Sequence, residues 1–487
     1  MAMAGMTPRN KQCFALVLAL ASLTIIWSFR FFGPDHRLVT SKVIPYAKAA
    51  YSQLSPQQTI QAADLMHLKR FVKTDDFIYA HRTIRSKYFT GDRPTLTRVN
   101  EPLFVNPRRL SKDDLEDIPL ERGGVLELAI PRSPVVDASI MSFSIATKVE
   151  RLERSVQFFH WLPHTGAQIH VIARPSDQAS IIEEEFRAQG VNLTIHNSNL
   201  PFAKAYFSGI KQLYETRTAN TQWIVLMDDD TFIPSLPYLV DHLNTNYDAA
   251  KEVMVAATSD NMDQVKTFGL IPFGGGGIFL SVPLAASLVR DSVWEKCLDS
   301  QRDQGDGIVN DCLNHYSPTR PSFDPGLNQM DLGGDPGGYF ESGRRMLTIH
   351  HWKSWYHVDV AMAGNVSKAC GFECVFQRFQ FDDDIVLSNG YSVVEYPGGI
   401  EDEDGKVLID LDQVELTWAG AKLNYEHHIG PLRNALDKDE KKTMRLVDVE
   451  VIEGKGVRQT YLQHVDSSEG TGNEYQMDRV AELLWLS

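Results

Sequence analysis

Cysteine is scarce in this chain, five in 487 residues. That number excludes a disulfide-framework miniprotein and leaves room for one or two bridges. Positive charge is also short, with 48 lysines and arginines against 63 aspartates and glutamates, a net −15. The first hundred residues hold 14 basic and 5 acidic side chains, so the remainder carries a larger negative excess still. An acidic body repels phosphate backbones, which argues against nucleic acid as a partner. Several catalytic signatures are missing: no GxxxxGK[ST] loop, no GxSxG elbow and no HExxH helix occurs. Internal repeats are absent too. Hydrophobic residues make 43 % and charged residues 23 %, an ordinary balance that excludes wholesale disorder and a multi-span membrane protein. At ~100–200 residues per domain, the length allows about two to four domains.

One long apolar run is present. Cys13 to Phe29 is seventeen residues without a charge, preceded by Arg9 and Lys11. At ~1.5 Å per residue it reaches about 26 Å, enough for a thin bilayer. It exceeds a usual signal h-region, and no small-x-small cleavage site follows it. The expectation is an uncleaved signal anchor over 12–32 behind a cytoplasmic tail, 1–11. Two sequons, Asn192-Leu-Thr194 and Asn365-Val-Ser367, and two neighbouring cysteine pairs, Cys297/Cys312 and Cys370/Cys374, suit an oxidising lumen. Four cysteines allow three pairings, and the sequence does not choose among them.

Residues 33–135 read as a stem and a partly ordered lead-in. From 136 to 375 strand-like runs (ASIMSFSIAT, AQIHVIAR, VNLTIHN, QWIVLM) alternate with helical ones (VERLERSVQFFHWL, ASIIEEEFRAQG, FAKAYFSGIKQLYETR). That alternation predicts an α/β fold with a mainly parallel, doubly wound sheet, whose ligands bind beyond the carboxyl ends of the strands. From 376 to 487 short strand-like runs (FQRFQF, YSVVEY, KVLIDL, VELTWA, MRLVDVEVIE, VRQTYLQHV, VAELLWL) predict a β-rich appendage.

Asp228-Asp229-Asp230 follows QWIVLM directly. Adjacent carboxylates repel, and a cation such as Mg²⁺ or Mn²⁺ relieves them while bridging diphosphate oxygens. A second triplet, Asp382-Asp383-Asp384, lacks such a strand before it and reads as a solvated or capping loop. Phe273 opens a run of four glycines ending at Gly277, where backbone can approach a ligand closely. Asp306 lies in GDGIVNDC, where an N-cap is the plain alternative. His350-His351-Trp352 and Trp355-Tyr356-His357 group imidazoles, which suit metals, with aromatic faces, which suit sugar rings.

WIVLMDDDTFIPSLPYLV, GGGGIFLSVPLA, GDGIVNDC and HHWKSW are together similar in order and spacing to the Fringe-like glycosyltransferases of glycosyltransferase family 31, and most of all to their fungal, single-anchor branch. The similarity covers about 138–395. It implies a GT-A-like fold, a type II Golgi-membrane protein with a luminal body, a UDP-sugar donor, a glycan acceptor, Mn²⁺ (or Mg²⁺) and inversion at the anomeric carbon. By this resemblance Asp230 binds the metal together with His350 or His351. Asp228, Asp229, Gly275, Gly276, Gly277, Trp352 and Trp355 surround the donor, and Asp306 is the base. Other readings are an inactive glycan-binding relative and a metal-dependent nucleotide-sugar hydrolase. No feature fixes the oligomeric state.

Overall fold

The computed structural model describes residues 62–115, 124–419, 429–465 and 477–487. The expected anchor and the first part of the stem lie outside them. Among the described residues no helix is long and apolar enough to cross a membrane.

A mixed sheet of seven strands carries the central region. Its spatial order is Pro321–Phe323, Met254–Ala257, Phe273–Ser281, Trp223–Met227, Met141–Ala146, Gln168–Ala173 and Asn192–Asn197. Neighbours run parallel except at Phe273–Ser281, which is antiparallel to both of its partners. The chain lays its first three strands outward from Met141–Ala146, then returns to that strand's other side with Trp223–Met227. This reversal of strand order is where an open α/β sheet leaves a crevice at its carboxyl edge. Trp223, Val225 and Met227 join one hydrophobic cluster, and Ile224 and Leu226 join another on the opposite face. Burial on both faces explains why WIVLM is an unbroken apolar run.

The helices follow the expected order, with one exception. VERLERSVQFFHWL is two short helices, Val149–Leu152 and Phe158–Trp161. Between them Ser155 Oγ and Gln157 Nε2 donate to the carbonyl of Asp229 at 2.8 and 2.7 Å. The break therefore serves the acidic turn. Both cysteine pairs form local disulfides, Cys297–Cys312 and Cys370–Cys374. The first ties helix Asp291–Leu298 to helix Gly305–Tyr316, which carries Asp306.

The second sheet has ten strands among the described residues, and it is not built from the C-terminal region alone. Asp76–Phe89 pairs in parallel with Asp478–Leu486, and along its other edge antiparallel with Arg108–Ser111 and then parallel with Leu126–Pro131. Thr97–Val99 adds to Arg378–Phe381. Four strands from the segment expected as stem and lead-in are thus integral to this sheet. Arg82, Arg85 and Lys87 inside Asp76–Phe89 mask its apolar alternation, yet Phe77, Tyr79 and Ile84 are buried. KVLIDL makes no strand beyond an isolated bridge from Val407 to Glu401, and Val407 and Leu408 are exposed. One hydrophobic cluster includes Trp223 and Phe279 of the first sheet and Tyr461 and Trp485 of the second. The β-rich region shares the core rather than hanging from it.

Candidate active site

The site is assembled by a backbone bridge. After Met227 the chain turns, with Thr231 Oγ1 accepting from Asp228 N at 3.1 Å. Phe232 then exchanges two hydrogen bonds with Ile349, each 2.8 Å. That pairing brings the residue after Ile349 to the acidic turn across 120 residues of sequence. His350 Nε2 lies 3.0 Å from Asp230 Oδ1 and 3.3 Å from Asp228 Oδ2. Asp230, His350 and His351 offer ligand atoms all within 4.8 Å of one another. Trp352 Nε1 donates to the Asp230 carbonyl at 2.6 Å, and Tyr356 Oη to the His350 carbonyl at 2.5 Å.

The two histidines are held differently. His350 is 2 % exposed, and its Nδ1 has no partner. Burial opposes its protonation, but the Asp230 and Asp228 carboxylates outweigh this and raise its pKa to about 10. Conversely, burial would raise Asp230, but His350 wins and holds it well below the usual carboxylate range. Two carboxylates thus converge on one imidazolium, a place that a divalent cation fits. His351 Nε2 is 3.0 Å from Asp331 Oδ1, and its Nδ1 is 3.1 Å from Ser354 Oγ. Its backbone sits at φ 60°, in the left-handed region that costs a non-glycine residue about 1–2 kcal/mol.

Asp306 stands on the other side of the glycine strand. It lies in the first turn of Gly305–Tyr316, whose cap is Gln304, so capping is not its role. Its Oδ1 accepts from Gly307 N at 2.7 Å and its Oδ2 from Gly274 N at 3.4 Å. Burial, reinforced by the Asp228 charge, raises its pKa to about 6. Asp311 is engaged instead with Arg302 at 2.7 and 3.1 Å.

No protein-family model matches the chain, and neither does any curated protein sequence. Solved structures resemble parts of it. The glycosyltransferase GlyE of Streptococcus pneumoniae is 14 % identical over 37 % of this chain and 44 % of its own, with a TM-score of 0.27. Mouse xyloside xylosyltransferase 1 in its apo form is 11 % identical over 39 % of this chain and 87 % of its own, with a TM-score of 0.28. This chain therefore spans less than half the length of the pneumococcal protein. Scores this low leave function to be read from the site itself.

Other expected residues have different surroundings from those implied. Gly275, Gly276 and Gly277 are not a loop open to a donor but buried members of strand Phe273–Ser281. A Cβ on Gly275 would overlap the His350 imidazole, and one on Gly276 would overlap the Ala257 methyl. Their lack of side chains makes room for the protein's own groups. Asp229 turns to Arg151, which donates to it at 2.6 and 2.7 Å, and to Thr147. It anchors Arg151 beside the other two aspartates. Trp352 is buried, whereas Trp355 is 37 % exposed and stacks on His351 with ring centroids 5.1 Å apart. Sequence reasoning missed Arg151, Asp331 and Tyr206, which stand alone in runs with no motif around them. The nearest signal was the position of Thr147 and Arg151 just after the strand next to the switch point.

Proposed function

We propose that the protein is an inverting, metal-dependent glycosyltransferase, moving a hexose from a UDP-sugar to a hydroxyl of a glycan or glycoconjugate. The observation that carries this reading is the convergence of Asp230, His350 and His351 at the carboxyl edge of the switch-point strand. Asp306, its pKa raised to about 6, lies across the glycine strand from them. Asp230 and His350 are the favoured metal ligands, because both nitrogens of His351 already face Asp331 and Ser354. Imidazole beside carboxylate favours Mn²⁺ over Mg²⁺. An ion held there would offset charge on the diphosphate of the donor.

Asp306 does the proton chemistry. Ionised at neutral pH, its carboxylate takes the proton from the acceptor hydroxyl, which attacks the anomeric carbon from the face opposite UDP. A carboxyl with a pKa near 6 is basic enough to accept that proton and acidic enough to be ionised beforehand. A direct displacement inverts the centre and needs no protein nucleophile, consistent with the missing GxSxG. Asp228 lies on the ribose side, and the exposed face of Trp355 offers a platform for a sugar ring.

The test is a panel of UDP-sugars with Mn²⁺ and with chelator, scored by UDP release with and without acceptor. Metal-dependent, acceptor-stimulated release supports transfer. Equal release without acceptor supports the hydrolase, and UDP binding without release supports the inactive relative. We further propose a single-pass type II Golgi protein with a luminal body, supported by the apolar run, the sequons and the two disulfides. Asn192, on an edge strand, is exposed. A deglycosidase should increase gel mobility, and unchanged mobility with protease sensitivity in sealed microsomes contradicts this topology.

A further inference from the structure

Tyr206, on helix Phe202–Thr216, is 4 % exposed and belongs to no motif. Two glycines are shaped around it. A Cβ on Gly305 would collide with its ring, and a Cβ on Gly274 would collide with its hydroxyl. Gly305 immediately precedes Asp306, and Gly274 N is the group that Asp306 Oδ2 meets at 3.4 Å. Tyr206 therefore touches the chain on both sides of that carboxyl, and its ring sets the gap between helix Gly305–Tyr316 and strand Phe273–Ser281.

The hydroxyl itself is unexplained by packing. It is buried and has no hydrogen-bond partner. A buried unsatisfied hydroxyl costs about 1–3 kcal/mol, and phenylalanine would fill the same space without that cost. Burial first, then the carboxylates of Asp228 and Asp306, raise its pKa well above the ordinary tyrosine value. At neutral pH it is a neutral donor near two acceptors. Of these, Asp228 already faces His350, whereas Asp306 Oδ2 has only the long contact to Gly274 N.

We propose that Tyr206 is the positioning residue for Asp306, its ring fixing the gap and its hydroxyl donating to Oδ2 when the carboxyl is ionised. This rests on the transferase reading above. The groups acting on Asp306 are then Tyr206 from its helix, Asp228 from the strand end with His350 behind it, and the N–H groups of Gly274 and Gly307. A donor to the carboxylate favours ionisation, so losing it raises the pKa at which the base works.

The experiment is Tyr206→Phe in the full chain, with kcat followed against pH, UDP affinity measured with Mn²⁺, and thermal melting recorded. The ascending limb of kcat should move up by about one pH unit, a roughly tenfold loss well below the limb that fades above it. UDP affinity should stay within about twofold, and melting at neutral pH should be equal or lower, since the bond to the ionised carboxylate is lost. A wild-type pH profile and kcat in the variant overturn the proposal and leave the transferase reading standing. A weaker KM for the UDP-sugar with an unmoved limb assigns the hydroxyl to the donor and overturns it too. If wild-type protein releases no UDP from any donor, both fall together.

Discussion

Two runs of three aspartates sit in two different sheets, and their fates diverge. In the seven-stranded sheet, Asp228 and Asp230 converge on one buried imidazole, with His351 at the same place. In the ten-stranded sheet, Asp383 Oδ2 accepts from the backbone N–H of Leu103 and Phe104, and Asp384 Oδ1 from that of Ile400. Two carboxylates of the first set point at one imidazole while Asp229 turns to Arg151, and Asp383 and Asp384 of the second accept from separate backbone donors. Buried acids elsewhere in the second region are matched by bases. Glu341 meets Lys441 at 2.6 Å and Arg445 at 2.7 Å, and Glu415 meets Arg433 and Lys441 at 2.7 Å each. Burial opposes the charge on Glu341, yet Lys441 and Arg445 hold its pKa down to about 2. Buried acids meet lysine and arginine in one region, whereas in the other two carboxylates share one buried imidazole, an arrangement compatible with a divalent cation. Identical residue types thus build a scaffold or a site according to what lies opposite them.

The sharpest way to break this comparison is to remove one ligand. Asp230→Ala should abolish Mn²⁺-dependent UDP binding and turnover together. His350→Ala should do the same, while His351→Ala should leave measurable metal affinity. Equal losses for the two histidines would make His351 a full ligand. Next in size is Asp306→Asn, which keeps shape but cannot accept a proton, and should cost about 10²–10⁴-fold in kcat with UDP affinity little changed. Near-normal turnover in a folded variant removes Asp306 from the mechanism. Gly275→Ala should weaken Mn²⁺ binding by displacing the His350 ring while leaving the second sheet intact, as judged by metal titration and melting.

Smaller effects should appear in stability. Replacing Asp382, Asp383 and Asp384 by alanine removes the Asp383 and Asp384 carboxylates that accept from three backbone N–H groups, and should cost roughly 1–3 kcal/mol in denaturant unfolding. The pH dependence has a definite sign at Asp306. Its folded pKa, about 6, lies above the ordinary carboxylate value. Its contribution to stability is therefore full below about pH 4 and is lost as the pH rises through about 6. Asp306→Asn, neutral throughout, should gain in melting temperature relative to wild type across that window and not below it. A constant difference at all pH values would contradict the burial of this group.

The strand–helix alternation was legible because Met141–Ala146, Gln168–Ala173 and Trp223–Met227 are buried on both faces and the longer helices between them show helical spacing. The acidic turn was legible because it ends the most apolar strand. The depth of the N-terminal segment was not, since basic residues interrupt Asp76–Phe89 and its partner Asp478–Leu486 lies at the other end of the chain. Nor was the role of the glycines, because their neighbours, His350 and Tyr206, come from distant elements. Local pattern reported what each segment is. Which side chains oppose one another across the site depends on long-range pairing, such as that of Phe232 with Ile349.

The central claim is that the first triplet, and not the second, holds a cation with a nucleoside diphosphate. Calorimetric titration of UDP with Mn²⁺ into wild-type protein, Asp230→Ala, and the triple alanine variant at 382–384 tests it side by side. Binding should be present in wild type, absent in Asp230→Ala, and retained in the triple variant despite its lower stability. Binding that survives in Asp230→Ala and disappears in the folded triple variant would contradict the account.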